Sequence, residues 1–195
     1  CVSVQRVFAD ISIAREVAQK IAEKAKNLIV GDPTDAATEV GPLIRHRETD
    51  RVEAWVNEAV AAGAELLCGG KRISESCFEA TVLLNPPSDC KVSQEEIFGP
   101  VVCVYSVENV NAAIARANDV PFSFQASVFT GSIDIAMRAY RRLNASAVMV
   151  NEHTAFRVDW MPFAGLKQSG LAVGGIPFTM HDMQIRKMLV LHSEE

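Results

Sequence analysis

The sequence predicts an α/β fold with a largely parallel, twisted sheet and helices on both of its faces. Short apolar or alternating segments, which are typical of strands, take turns along the chain with amphipathic stretches of about 10–15 residues. A helix that connects two strands of one sheet forms a right-handed crossover, which makes those strands parallel. The composition supports a packed core, because 49% of the 195 residues are hydrophobic and 22% are charged.

The first half of the chain contains two predicted helices. Residues 1–8 alternate apolar and polar side chains after the first residue, which predicts a strand. Apolar side chains keep helical spacing over 12–28, and Asp10 or Ser12 can cap the start of this helix. After a polar loop, a second stripe of apolar side chains predicts an amphipathic helix over 46–62.

The second half predicts further strands and helices and a separate tail. Strands are predicted at 66–68, 78–84, 101–107, 126–130 and 147–151, and helices at 108–118 and 132–143. No internal repeat or low-complexity linker divides the chain, so residues 1–186 are predicted to form one domain. The tail, 187–195, contains the apolar run 188–191, which has no local partner strand. We expect it to be an interface strand of a homo-oligomer, a dimer or a tetramer.

Charge and cysteine usage exclude several classes of function. The net charge of -5, without a cluster of lysine and arginine, argues against a nucleic-acid partner. No apolar run approaches the roughly 18–20 residues of a membrane span, and the chain does not open with a signal peptide. Five cysteines without a C-x-x-C pair, and four histidines without metal spacing, indicate no metal site and favour a reducing, cytoplasmic location.

The acidic turn, which we define as residues 95–100, is the most informative stretch of the chain. Two adjacent carboxylates lead into Phe98 and a Gly-Pro step, and a β-branched run follows. The Gly-Pro step ends any helix, so the carboxylates and Phe98 are predicted to lie on a rigid turn at the start of a buried strand. On composition alone, a solvated turn with Phe98 packed as an anchor is the simpler interpretation.

Three motifs together resemble the aldehyde dehydrogenase superfamily. They are a cysteine followed five residues later by an arginine (Cys1 and Arg6), E-E-I-F-G-P-V at 95–101, and P-F-A-G-L-K-Q-S-G at 162–170. Shorter matches at 30–33, 40–44 and 126–130 follow in the order found in the family. The resemblance covers essentially the whole chain and implies the catalytic domain of such an enzyme.

The resemblance implies a role for four residues. It places the catalytic thiol at Cys1, and it makes Glu96 the carboxylate that binds the ribose hydroxyls beside the nicotinamide of NAD or NADP. Phe98 matches the aromatic residue near the nicotinamide ring, and Phe163 matches one that lines the substrate tunnel. The physical chemistry agrees, because a carboxylate accepts charge-assisted hydrogen bonds from hydroxyls and an aromatic face restricts where the nicotinamide lies.

The reaction implied is the oxidation of a small-molecule aldehyde to a carboxylate. The cysteine thiolate attacks the aldehyde carbon, hydride passes to NAD(P), and water hydrolyses the resulting thioester. The sequence lacks a phosphate-binding G-x-G-x-x-G stretch, and the family's general-base glutamate and oxyanion asparagine lie upstream of its cysteine. We therefore expect a C-terminal catalytic portion of a longer enzyme, inactive as a fragment, whose choice between NAD and NADP is set by the missing part.

Arg157 is a candidate for binding an anionic substrate group. It lies in an F-R-x-D stretch that resembles the substrate mouth of lactaldehyde, non-phosphorylating glyceraldehyde-phosphate and phosphonoacetaldehyde dehydrogenases. A guanidinium matches carboxylate or phosphate oxygens bidentately. The alternative is a structural pair, either with Asp159 or with a helix end. Ala164, in place of the family's usual glycine, and the Ser123-Phe124 pair depart from the family pattern and affect the expected shape of the tunnel.

Two functions of other classes stay open. A cysteine at a mature N-terminus can act as the nucleophile of an amidohydrolase, with its own α-amine as the base. Residues upstream of Cys1 that contain the missing motifs would distinguish the dehydrogenase from this hydrolase. The apolar run 188–191 is also consistent with a non-catalytic oligomerisation module.

Overall fold

A computed structural model describes residues 2–193, so the predicted nucleophile Cys1 lies outside the described residues. The strands are β1 (Arg6–Asp10), β2 (Glu65–Cys68), β3 (Thr81–Leu84), β4 (Val101–Val107), β5 (Phe122–Ser123), β6 (Gln125–Val128), β7 (Ala147–Val150) and β8 (Leu166–Lys167). The helices are α1 (Ala14–Lys26), α2 (His46–Ala61), α3 (Lys91–Gln94), α4 (Val110–Asn118), α5 (Ile133–Arg142) and α6 (Ile176–Asp182). This mixture of strands and helices confirms the predicted α/β class.

The largest sheet has four strands in the order β1-β4-β3-β2. Strand β4 pairs in parallel with β1 on one side and with β3 on the other, and β2 adds an antiparallel edge to β3. Arg6 of β1 lies opposite Cys103 of β4. Strands β1 and β4 are parallel, so both begin at the same end of the sheet. The segments that precede them, 2–5 and 95–100, therefore lie next to each other.

The core occupies both faces of this sheet because side chains alternate along β3 and β4. On one face, Leu83, Cys103 and Tyr105 pack in a cluster with the apolar stripe of α2. On the other face, Val82 and Val104 pack in a cluster with the alanines of α1. All five side chains are at most 2% exposed. The prediction of helices on both faces of a mainly parallel sheet is therefore confirmed.

Two smaller sheets complete the described part of the chain. Strands β6 and β7 are parallel and flank α5 in the sequence, while β5 and β8 form an antiparallel pair. The sequence predicts the unit of β6, α5 and β7, but it does not indicate that these strands form a sheet of their own. Strands β5 and β8 have two residues each, which is too short for a periodic pattern.

The predicted helices agree with the observed ones to within two residues at each end. The predicted cap of α1 is wrong, since its N-cap is Ile13 and makes no side-chain cap bond. Asp10 instead accepts hydrogen bonds from the backbone and hydroxyl groups of Ser12, which form a turn ahead of the helix. Helix α2 is followed by Gly63 at φ +110°, a left-handed conformation that suits glycine at a helix end.

The predicted interface strand has no partner in this structure. Residues 188–191 are between 76% and 85% exposed and form no strand. A strand exists only where a second backbone completes its hydrogen bonds, and none of the residues 2–193 supplies that backbone here. The interface role of 187–195 stays a prediction.

The described residues contain neither a membrane-spanning helix nor a cluster of metal ligands. No helix within 2–193 is long and apolar enough to cross a membrane. In the same part of the chain, no group of three or more histidine, cysteine, aspartate or glutamate side chains has the geometry to hold a metal ion.

Candidate active site

The acidic turn connects α3 to β4 and presents two side chains to solvent. Ile97 is 1% exposed and anchors the turn in the core, whereas Glu96 and Phe98 on either side of it point outward, Phe98 with 70% of its surface exposed. Gly99 is required because a Cβ there would lie 2.9 Å from Cγ2 of Val52 in α2. The predicted position, a rigid turn at the start of a buried strand, is confirmed, and Phe98 is not the packed anchor.

Hydrogen bonds from two side chains hold the backbone of the acidic turn. Gln5 Nε2 donates to the carbonyl oxygens of Glu95 (2.7 Å) and Val92 (3.2 Å), and Gln5 Oε1 accepts from the backbone N–H of Ile97 (2.8 Å). From the other side, an Arg51 guanidinium nitrogen donates to the carbonyl oxygen of Ile97 at 2.6 Å. The turn is therefore fixed by side chains from both the segment before β1 and helix α2.

The Glu96 carboxylate has no protein partner in the described part of the chain. None of the ion pairs or side-chain hydrogen bonds among residues 2–193 involves its oxygens. An ionised carboxylate offers about four acceptor positions, so two hydroxyl groups of a ribose can bind to it. The exposed ring of Phe98 lies two residues away on the same turn. These residues fit the ribose and nicotinamide part of NAD(P), while the described residues show no cradle for its phosphates.

The two predicted substrate residues contact each other. The Cζ atom of Arg157 lies 4.3 Å from the centroid of the Phe163 ring, a cation–π contact. Phe163 also meets Phe124 edge to face, with the ring centroids 4.7 Å apart. The backbone of Phe163 is fixed by reciprocal hydrogen bonds with Gly174, of 3.0 and 2.8 Å. The ring is therefore held in place while Arg157 lies across its face.

One predicted alternative for Arg157, an ion pair with Asp159, is absent. Among residues 2–193 no carboxylate oxygen lies within 4.0 Å of the Arg157 guanidinium. Both residues instead line an open groove of about 410 Å³, which Thr179 and Met180 of α6 also line. The Arg157 side chain is exposed, and its recorded partner among residues 2–193 is the Phe163 ring.

Thr154 connects this substrate region to the residue that follows Cys1. Its Oγ1 donates to the carbonyl oxygen of Val2 at 2.6 Å, and the residue is only 9% exposed. The acidic turn binds to Gln5, three residues further along. Residues 2–5 are thus the common attachment of both halves of the candidate site, although no hydrogen bond or ring contact within 2–193 joins Glu96 or Phe98 directly to Arg157 or Phe163.

Sequence reasoning missed Gln5 and Thr154. Gln5 lies inside the motif that runs from Cys1 to Arg6, so its position carried a signal, but its partners lie about 90 residues away in the sequence. Thr154 lies in an irregular loop after β7, and its partner Val2 is 152 residues away. Nothing in the local sequence distinguishes this threonine from a solvated one.

Arg6, the arginine of the nucleophile motif, has a structural position. Its guanidinium donates to the carbonyl oxygens of Arg116 (3.2 Å) and Ala117 (3.0 Å) at the C-terminal turn of α4. A cation suits this end of a helix. Burial lowers the pKa of Arg6, which nevertheless stays charged at neutral pH. Arg6 therefore attaches β1 to α4 rather than facing the acidic turn.

Comparison with known proteins identifies the family. The sequence profile of the aldehyde dehydrogenase family matches residues 1–189. The chain belongs to the aldehyde dehydrogenase family. The resemblance that the three motifs indicate is therefore confirmed.

Curated aldehyde dehydrogenases match nearly all of this chain. A 3-sulfolactaldehyde dehydrogenase from Priestia aryabhattai is 38% identical over 192 residues, which are 98% of this chain and 40% of the relative. A lactaldehyde dehydrogenase from Methanococcus maripaludis is 37% identical over 193 residues, which are 99% of this chain and 41% of the relative. The chain thus spans about 40% of the length of these aldehyde dehydrogenases.

Solved aldehyde dehydrogenases have the same fold. Aldehyde dehydrogenase 21 from Physcomitrella patens, in complex with the reaction product succinate, superposes with a TM-score of 0.89 at 34% identity, over 94% of this chain and 38% of that one. A glyceraldehyde-3-phosphate dehydrogenase from Methanocaldococcus jannaschii, complexed with NADP, gives a TM-score of 0.88 at 34% identity, over 94% of this chain and 40% of that one.

The cysteines of this aldehyde dehydrogenase chain provide a test of the nucleophile. Cys68, Cys77, Cys90 and Cys103 are buried. Burial raises the pKa of Cys68 and Cys90, and it raises the pKa of Cys103 to about 12. The four thiols are therefore shielded from solvent. At least three of them are also neutral at pH values below about 8, whereas the reactive form of cysteine is the thiolate.

We expect iodoacetamide at neutral pH to modify one thiol of the folded protein, that of Cys1. Peptide mass spectrometry after short labelling measures the site, and denaturant should make all five cysteines react. A Cys1→Ser variant is the matched control, and its folded form should stay unlabelled. Faster labelling of any of the four buried cysteines than of Cys1 would contradict the assignment.

Proposed function

We propose that this chain is the C-terminal catalytic portion of an NAD(P)-dependent aldehyde dehydrogenase that oxidises an aldehyde to a carboxylate. In this proposal residues 1–186 belong to the catalytic domain and 187–195 form an interface tail. The observation that carries the proposal is the acidic turn, where a carboxylate without a partner among residues 2–193 and an outward aromatic ring lie on a backbone that other residues hold in place. Membership of the aldehyde dehydrogenase family supports it.

Glu96 and Phe98 bind the nicotinamide half of the cofactor in this proposal. The Glu96 carboxylate accepts hydrogen bonds from the ribose hydroxyls, and such charge-assisted bonds are about twice as strong as neutral ones. Phe98 limits the positions that the nicotinamide can take. Because the turn is already fixed in the protein, little conformational entropy is lost when the cofactor binds. Two of the similar solved structures contain NADP.

Cys1 supplies the covalent chemistry of the proposed reaction. Its thiolate attacks the aldehyde carbon, forming a carbon–sulfur bond and a tetrahedral oxyanion, which backbone N–H groups near the nucleophile stabilise. Bound NAD(P), held at its nicotinamide half by Glu96 and Phe98, would supply the acceptor for the hydride that leaves that carbon. The resulting thioester of Cys1 is cleaved by water, which releases the carboxylate and regenerates the thiol. We assign the base for that water, and the phosphate-binding part of the cofactor site, to the portion of the full-length enzyme that this chain does not span.

The substrate that we propose is an aldehyde with an anionic group. Arg157 supports this, because its guanidinium is exposed and stacks on Phe163 instead of pairing with Asp159. Two of the relatives are named for anionic aldehydes, 3-sulfolactaldehyde and glyceraldehyde 3-phosphate. We place the enzyme in the cytoplasm on its cysteine pattern and expect a homo-oligomer on the exposed apolar tail.

The alternative functions have less support. An N-terminal-cysteine amidohydrolase has no use for the acidic turn, whose backbone is held by Gln5 and Arg51. A purely non-catalytic oligomerisation module gives no reason for an unpartnered carboxylate next to an outward aromatic ring. The exposed tail is compatible with an oligomeric enzyme.

Glu96→Gln tests the proposed function directly. In the full-length enzyme we expect the KM for NAD(P) to rise about tenfold, because a neutral amide replaces charge-assisted acceptors. The KM for the aldehyde should change little. Steady-state kinetics measures both values. The matched control is Glu95→Gln, which removes the neighbouring charge and should leave the KM for NAD(P) within about twofold. Equal effects of the two variants would reject the role of Glu96.

Arg157→Ala tests the anionic substrate. We expect kcat/KM for aldehydes that carry a sulfonate, phosphate or carboxylate to fall by about ten- to a hundredfold, since the charge-assisted bonds are lost. Neutral aldehydes of the same length should be affected far less. Arg157→Lys should recover part of the activity, because it keeps the charge but not the bidentate geometry. Arg138→Ala, at an exposed position on α5, is the control. An unchanged KM for the anionic aldehydes would refute the assignment.

Residues 1–195 without the rest of the enzyme should not reduce NAD(P) in the presence of an aldehyde. The reason is that the phosphate-binding part and the general base are assigned to the portion outside this chain. NAD(P)H absorbance measures the reaction, and the full-length enzyme under the same conditions is the positive control. Sustained NAD(P)H formation by the pure chain, absent from a Cys1→Ser variant, would show that the chain is catalytically complete.

A further inference from the structure

We propose that Gln5 is a positioning residue for the cofactor: its carboxamide fixes the two peptide groups that flank Glu96 and thereby sets the direction in which the Glu96 side chain leaves the backbone. The proposal rests on the proposed role of Glu96 and deepens it. Gln5 lies four residues after Cys1 in the sequence, so it joins the chain of the nucleophile to the carboxylate that binds the cofactor.

The hydrogen bonds of Gln5 bracket Glu96. The carbonyl oxygen of Glu95 belongs to the peptide group before Glu96, and Gln5 Nε2 donates to it at 2.7 Å. The backbone N–H of Ile97 belongs to the peptide group after Glu96, and it donates to Gln5 Oε1 at 2.8 Å. With both adjoining peptide planes held, the backbone dihedral angles of Glu96 are restricted and its Cα–Cβ bond has a defined direction.

Gln5 is itself anchored to the sheet. Its carbonyl oxygen accepts a hydrogen bond of 2.8 Å from the backbone N–H of Cys103, the residue opposite Arg6 in the pairing of β1 with β4. The side chain is partly buried and also donates to the carbonyl oxygen of Val92 at 3.2 Å. Gln5 therefore connects the acidic turn to the pair of strands β1 and β4 through hydrogen bonds.

Only a carboxamide of this length makes the observed set of bonds. One end of the group must donate, to Glu95 and Val92, and the other end must accept, from Ile97. Glutamate offers acceptors alone and would face two carbonyl oxygens with a negative charge. Methionine has a similar length but leaves the backbone groups without their partner, and asparagine is shorter by one methylene group.

The Glu96 carboxylate is free while its backbone is held. No protein cation within residues 2–193 orients it, so what the protein fixes is the backbone from which the Glu96 side chain starts. A carboxylate on a mobile turn would lose conformational entropy when the ribose binds, and this loss would weaken the cofactor complex. The effect of Gln5 on cofactor affinity therefore acts through Glu96 and vanishes when Glu96 no longer provides its charge.

A double-mutant cycle in the full-length enzyme tests this dependence. NADPH and NADH are titrated by fluorescence into the wild-type enzyme and into the Gln5→Met, Glu96→Gln and doubly substituted variants. In the wild-type background, we expect Gln5→Met to raise the Kd of whichever of the two cofactors binds, and the rise should be about tenfold. In the Glu96→Gln background, the same substitution should raise that Kd by less than about twofold. Gln19→Met, an exposed position on α1, is the matched control for the substitution and should leave the Kd unchanged.

The thermal midpoint of the cofactor-free protein separates positioning from a general structural effect. The loss in stability caused by Gln5→Met should be the same in both backgrounds, whereas the loss in cofactor affinity should not. If Gln5→Met fails to fold, Gln5→Asn serves as the second variant, since it keeps a neutral carboxamide but is one methylene group too short to reach the same partners. It should also weaken cofactor binding only in the presence of Glu96.

The outcomes distinguish this proposal from the proposed function. If Glu96→Gln weakens cofactor binding and neither Gln5 variant does, the positioning role is overturned while the function of Glu96 stands. Equal weakening by Gln5→Met in both backgrounds also overturns it, because Gln5 then acts on the fold alone. If Glu96→Gln leaves the Kd unchanged, the role of Glu96 fails and the role of Gln5 fails with it.

Discussion

The parallel pairing of β4 with β1 is the interaction on which the candidate site depends. Parallel strands begin at the same edge of a sheet, so the chain that follows Cys1 and the turn that carries Glu96 arrive side by side. Strand β4 is held there by burial on both faces, Tyr105 and Cys103 against α2 and Val104 against α1. Gln5 and its partner Glu95 are 90 residues apart in the sequence, and this strand pairing is what brings them together in space.

The substrate region depends on weaker contacts. It follows β7 as an irregular loop, and Thr154 attaches it to Val2 by one hydrogen bond. The contact of Arg157 with the ring of Phe163 is a cation–π interaction at an exposed site, for which about 0.5–1 kcal/mol is typical. A bond of a charged group to an anion contributes about 1.5–3 kcal/mol. In the proposed function, an anionic substrate therefore displaces the guanidinium from the ring, while Phe163 is kept in place by Gly174 and Phe124.

Periodicity and turn chemistry account for what the sequence predicts. Helices α1, α2, α4 and α5 have apolar stripes, and the Gly-Pro step places the acidic turn correctly. Helix α6 has no buried residue, so it lacks a stripe, although Gly175 at φ +111° and a proline in its first turn mark its start. Strands β5 and β8 are too short for a pattern. The contacts of Gln5 and Thr154 join residues that are far apart in the sequence, and only the tertiary structure brings them together.

The conformation of the acidic turn follows from a balance between its neighbouring residues. Phe98 has φ +49°, a left-handed conformation that costs an L-residue about 1–2 kcal/mol. Full burial of an isoleucine side chain contributes about 1.5–3 kcal/mol, and Ile97 is 1% exposed. The burial of Ile97 therefore offsets the strain at Phe98, and the bonds from Gln5 and Arg51 to the backbone add to it. Ile97 points inward, and Glu96 and Phe98 on either side of it point outward. The exposed Phe98 ring and a carboxylate without a partner among residues 2–193 thus lie on one fixed turn, and this arrangement is the basis of the proposed binding of the ribose and nicotinamide.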